Sequence, residues 1–208
     1  FLLASAYLVG FKNEKLHGQT YIDGGLVNNV PTNSLIQRGY TDLIQIRIYG
    51  PGRKPKAKLT EETTIYEIAP TAKLGSIMEF ESKRSRQNMK LGYYDAMRTI
   101  YGLAGRIYYI EQMREEWYYE KILKSLSEIE KAEIAFVLKL SRGYEDIELY
   151  LAMLEASAKL LRVPKYQIYS VQELEKAVCE KYDKLSDKIN LPRFVHILMD
   201  IRKDHEMN

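Results

Sequence analysis

The sequence predicts an α/β region followed by an all-helical one. Short β-branched runs alternate with helical segments as far as Tyr101, strand signals nearly stop after "GRIYYIEQ", and residues 113 to 208 carry apolar side chains at helical spacing. The change of period lies near Ala104, so the expected domains are 1–104 and 105–208. No internal repeat or low-complexity tract interrupts either one.

The opening "FLLASAYLVG" is apolar, too short for a membrane span, and has no basic leader or cleavage site. It reads as the end of a buried helix begun upstream, which makes the chain a fragment of a longer protein. "GQTYID" alternates as a short strand ending at Asp23 and is broken by Gly24 and Gly25. "VPTNSLIQRGY" reads as a short helix, with Pro31 near its first turn and Gly39 past its end. "DLIQIRIYG" and "TTIYEIAP" are strands, joined by the polar, proline-bearing "PGRKPKAKLTEE". From Lys73 to Tyr101 the pattern is helical, split by Gly92.

Four or five helices are expected beyond residue 113. Ile147, Tyr150, Leu151, Leu154, Ala158 and Leu161 form one face of a helix closed by Pro164. Ser170 with Glu173 is a capping box, followed by the stripe Leu174, Val178, Tyr182 and Leu185. After Pro192 a last helix carries Phe194, Ile197, Leu198 and Ile201.

With 208 residues, 46% of them apolar, the chain can bury a real core. Its 31 basic and 28 acidic residues leave only +3, interspersed, which argues against a nucleic-acid partner. One cysteine, Cys179, excludes an intrachain disulfide and a cysteine metal cluster, so the default location is cytoplasmic. An anionic membrane surface stays open as a peripheral contact, with "GRKPKAK" as a patch of four cations that also reads as a solvated loop.

Asp23 stands at the end of a strand signal, where an α/β sheet usually keeps its active site, and two glycines follow it. An aspartate held at hydrogen-bond distance and partly desolvated can take a serine hydroxyl proton directly. The glycines let backbone and substrate approach closely. Asp-Gly is also a common turn dipeptide, so a purely structural turn is the competing reading.

"IDGG" followed by "NNVP" and the strand "DLIQIRI" resembles the Asp-Gly-Gly block of patatin-like phospholipases, which hydrolyse acyl esters with a Ser-Asp dyad. "FLLASAYLVGF" before it and "LGYYDAMR" at 91–98 resemble flanking blocks of that family, so the likeness covers residues 1 to about 101 in order. The resemblance implies the C-terminal part of a three-layer α/β/α domain, with Asp23 as general base. Gly24 and Gly25 then shape the active-site turn, and Asn28 and Pro31 fix the loop after it. It implies a lipid ester or phospholipid substrate and neither metal nor organic cofactor.

No Gly-x-Ser-x-Gly and no glycine-rich oxyanion segment occurs in the 208 residues. The chain is therefore expected to lack its nucleophile, placed upstream of Phe1, and to be inactive alone. Ser34, Ser76 and Ser85 lie in no elbow motif and read as caps or surface residues. His17, His196 and His205 have no metal-ligand spacing. Trp117, Tyr118, Tyr119, Tyr108 and Tyr109 read as core rather than as an interfacial belt, and Cys179 as buried. The leading expectation is a lipid acyl hydrolase. The alternative is a non-catalytic relative whose helical region binds a partner. The role of residues 105–208, as lid, membrane-docking element, dimer interface or stabilising appendage, stays open.

Overall fold

The computed structural model describes residues 1–208 except 8–9, 11–13, 51, 77–78, 80, 112–114 and 207–208, with backbone alone at 204–206. The protein is mixed α/β and divides into two compact units, Phe1–Thr99 and Ile100–Asn208.

In the first unit, Ala4–Ala6 forms a single 3-10 turn. The buried helix expected here is absent from the described residues, because Phe1, Leu2 and Leu3 are exposed and only Ala4 is buried. Its continuation through residues 8–9 lies outside the described residues. The strand expected over 18–23 does not form either. Leu16 and Gln19 pair across a tight turn that places His17 and Gly18 at positive φ, and the chain then runs irregularly to Asp23. The N–H groups of Asp23 and Gly24 donate instead to the carbonyls of Tyr7 and Ser5.

Two short helices follow, α1 (Gly25–Asn28) and α2 (Thr32–Ile36), the second entered from Pro31 and left through Gly39 at φ +86°. Strands β1 (Asp42–Ile46) and β2 (Thr64–Ile68) pair in parallel with Ile44 opposite Tyr66. Leu43 is buried, and so is Leu91 of helix α3 (Ser82–Tyr101), whereas Ile44, Ile46 and Ile48 are exposed. Parallel sheets are usually covered on both faces. Helix α3 begins nine residues later than the periodicity suggests, because Gly75 at φ +103° turns the chain before it. The expected helical residues 77–78 and 80 lie outside the described ones. Gly92 does not split α3: one glycine costs about 1 kcal/mol in a helix, which a 20-residue helix absorbs.

In the second unit, β3 (Tyr109–Ile110) pairs in parallel with β4 (Ile168–Tyr169), so the region is helical but not wholly so. Its helices are α4 (Glu116–Leu123), α5 (Glu128–Val137), α6 (Asp146–Leu160), α7 (Val171–Asp183) and α8 (Arg193–Glu206). Helix α6 is central and packs against the other four, burying Leu149, Met153, Leu154 and Ala158. The Ser170–Glu173 box caps α7 as expected, and Ser127–Glu130 caps α5 in the same way. Leu185 lies past the end of α7 and adds nothing to its stripe. Tyr108, Tyr109 and Tyr119 are core residues, while Trp117 is exposed. Cys179 is half-buried rather than buried, its Sγ 3.7 Å from Met199 Sδ. Among the described residues no helix is long and apolar enough to cross a membrane.

Candidate functional site

The Asp-Gly-Gly turn is built by the residues that flank it. Asp23 is half-buried, and its Oδ1 accepts the N–H of Gly25 at 2.7 Å. The Asp23 carbonyl accepts from Leu26 N–H, and the Gly24 carbonyl from Asn28 N–H, so the turn runs directly into α1. Among the described residues Oδ2 of Asp23 has no hydrogen-bond partner.

The two glycines are not equivalent. Gly24 has helical φ and ψ and open space where a Cβ would stand. A Cβ on Gly25 would lie 3.0 Å from Asp23 Oδ1 and 3.2 Å from Asn29 Oδ1, tighter than ordinary contact. Gly52, at φ +139°, approaches so closely that a Cβ there would lie 2.3 Å from the Gly25 carbonyl oxygen.

The segment after β1 is tied to this turn. Asn29 N–H donates to the Arg53 carbonyl at 2.8 Å, Arg53 N–H returns to the Gly25 carbonyl at 3.0 Å, and Asn29 Nδ2 reaches the Gly50 carbonyl at 3.3 Å. Asn33 of α2 extends the attachment, accepting from Lys58 N–H and donating to the Lys56 carbonyl. The basic "GRKPKAK" run is thus held down through its backbone. Asn28 is half-buried, and its Oδ1 is buried without a hydrogen bond among the described residues. Pro31 leads into α2, whose Thr32 hydroxyl donates to Gln45 Oε1 of β1 at 2.8 Å.

The structure therefore brings Asp23, Gly24, Gly25 and Asn28 into one turn and short helix, with Pro31 three residues on at the entry to α2. It places no described serine hydroxyl or histidine in hydrogen bond with Asp23. Ser85 Oγ donates to the Glu81 carbonyl, Ser34 N–H bonds the Pro31 carbonyl, and Ser76 N–H bonds Glu79. His196 Nδ1 meets the Tyr182 hydroxyl, and the side chain of His205 lies outside the described residues. No group of side chains suited to a metal ion occurs among the described residues.

Two carboxylates matter more than sequence reasoning indicates. Asp95, 3% exposed, accepts from the N–H and hydroxyl of Thr71, each at 2.9 Å, and lies 3.3 Å from Arg98. In the second unit Glu155, also 3% exposed, accepts the backbone N–H groups of Arg106, Ile107 and Tyr108 at 2.7 to 2.9 Å. "LGYYDAMR" draws attention to Asp95 but not to its partner. The chain matches no family model, no curated protein and no solved structure.

Proposed function

We propose that this protein is part of a patatin-like serine acyl hydrolase acting on phospholipid or other lipid esters, with Asp23 as the base of a Ser-Asp dyad. The observation that carries the reading is the Asp23 carboxylate itself. One oxygen is fixed by Gly25 N–H, and the other is uncommitted among the described residues. The nucleophile comes from outside these 208 residues, since none of their serines stands in an elbow motif.

In this mechanism Asp23 takes the serine proton as the hydroxyl attacks the ester carbonyl, then returns it to the departing alcohol. Asp23 next takes a proton from the water that attacks the acyl-enzyme, and the serine is regenerated. No metal or cofactor takes part. On this reading the protein works in the cytoplasm with peripheral contact to a lipid surface during turnover, and self-association is compatible with it.

The test is Asp23→Asn in the complete protein. The amide can still accept from Gly25 N–H but is no proton acceptor, so kcat on a soluble acyl ester should fall about 10²- to 10⁴-fold with the melting temperature nearly unchanged. Unchanged kcat would leave Asp23 as a turn residue. It would favour a second reading, a non-catalytic protein whose helical unit binds a partner through the exposed Ile129, Phe136 and Val137 of α5.

A further inference from the structure

The carboxyl ends of β1 and β2 open onto a cavity of about 820 Å³ that lies wholly within the first unit. Its walls are Ile48–Gly50 after β1, residues 70–76 after β2, and the early part of α3 at Arg84, Ser85 and Asn88. Because the strands are parallel, both deliver the chain to the same mouth, the end at which open α/β sheets bind ligands. The volume falls within the roughly 300–1,000 Å³ typical of small-molecule sites.

The wall formed by residues 70–76 is fixed in place. Asp95 holds Thr71, Asn88 Nδ2 donates to the Leu74 carbonyl at 2.8 Å, and Ser76 N–H donates to Glu79 at 3.1 Å. Ile48 and Leu74 make part of the lining apolar, while Lys73 and Arg84 bring two cations against the single carboxylate of Glu79. Glu79 meets Arg84 through Nε at 3.5 Å. Among the described residues the Lys73 ammonium and the terminal nitrogens of Arg84 make no hydrogen bond or ion pair. A cavity with uncommitted cationic donors beside apolar surface suits a ligand that is anionic at one end and hydrocarbon at the other.

We infer that this cavity takes the phosphate end of a single-chain lipid amphiphile, with the phosphate on Lys73 and Arg84 and the first methylenes on Ile48 and Leu74. The choice of a lipid rests on the acyl-hydrolase reading and deepens it. Gly50 in the wall accepts Asn29 Nδ2, and Gly52 lies against Gly25, so the wall continues into the turn that carries Asp23.

Titration calorimetry of residues 1–208 tests this with three probes below any micelle concentration: octyl phosphate, octyl glucoside and inorganic phosphate. Octyl phosphate should bind saturably, and each of the others about ten-fold or more weakly. Lys73→Gln combined with Arg84→Gln should weaken octyl phosphate by about ten-fold or more, while Arg84→Lys, which keeps the charge, should hold it within a few-fold. Circular dichroism establishes that the variants are folded. Equal binding of octyl glucoside, equal binding of inorganic phosphate, or indifference to the double substitution would each overturn the inference, as would the absence of saturable binding. Binding is read without turnover, so this test and that of Asp23 fail separately. A complete enzyme inactivated by Asp23→Asn whose 1–208 region ignores octyl phosphate would overturn the cavity assignment alone.

Discussion

Asp95 on α3 grips Thr71 twice, taking both its backbone N–H and its hydroxyl at 2.9 Å, and so anchors the segment that leaves β2 to the helix that follows. The two residues lie 24 positions apart, and the carboxylate is almost fully buried. Asp95→Ala should destabilise the first unit by about 1–3 kcal/mol, because it strands two donors that had a charged acceptor. Thr71→Val, which removes only the hydroxyl, should cost about 1 kcal/mol. Urea denaturation of the two variants checks the order, and an equal loss would contradict it.

The glycines of the Asp-Gly-Gly turn should differ in their tolerance of a methyl group. Gly24→Ala meets open space at helical dihedrals and should be neutral or stabilising by about 0.4–1 kcal/mol. Gly25→Ala presses on the carboxylate it helps to hold, and should cost about 1–2 kcal/mol while displacing Asp23. Thermal melts of the pair make the comparison. Equal effects would mean that the turn is looser than its hydrogen bonds indicate.

Glu155 is the acceptor for three consecutive backbone N–H groups, and a carboxamide cannot replace it. Glu155→Gln keeps one oxygen but turns an NH₂ toward a donor, so a loss of about 1–3 kcal/mol is expected from the second unit. Glu155→Ala should lose more. Guanidinium unfolding followed by the tyrosine-rich core is the measurement, and wild-type stability in the Gln variant would exclude this anchoring role.

The second unit should be sensitive to alkali. Burial, with Glu175 beside it, pushes the Tyr150 hydroxyl well above its ordinary value of 10.0, and burial with Tyr169 and Glu155 nearby does the same to Tyr108. For Lys131 burial acts downward, but the Asp146 carboxylate at 2.9 Å outweighs it and raises the group above its ordinary 10.5. All three hold their protons longer when folded than when unfolded. Their contribution is therefore complete below about pH 10 and is lost as pH rises through the raised folded values, at up to about 1.4 kcal/mol per pH unit per group. Denaturant midpoints between pH 8 and 11.5 should fall, and Tyr150→Phe should flatten part of the slope. A level profile to pH 11.5 would contradict the assignment.

Much of the second unit could be read from local chemistry. The Ser170–Glu173 box and the Leu174–Val178 stripe involve residues three or four apart, so their spacing alone specifies them. The Ser127–Glu130 box has the same three-residue spacing and is equally legible. Alternation misled at residues 18–23, where the left-handed His17–Gly18 turn diverts the backbone toward residues 5–7. At the candidate site the turn residues were legible, since Asp-Gly-Gly advertises a tight bend. Gly52 closing on Gly25 and Asn29 reaching Gly50 were not, because they depend on where β1 delivers the chain. Glu155 was hidden for the same reason: a polar residue in an amphipathic helix carries no sign that three amides 47 to 49 positions earlier converge on it.

That long reach has a consequence for how the protein is made. During synthesis the chain leaves the ribosome from its N-terminus, so Arg106, Ile107 and Tyr108 emerge well before the carboxylate that will take their N–H groups, and β3 waits longer still, until Tyr169 has followed. Over that interval the buried tyrosines at 108 and 109 have neither partner strand nor core. The "GRIYYI" stretch of the nascent second unit therefore stays exposed over that interval and offers a hold to a chaperone or a neighbouring nascent chain.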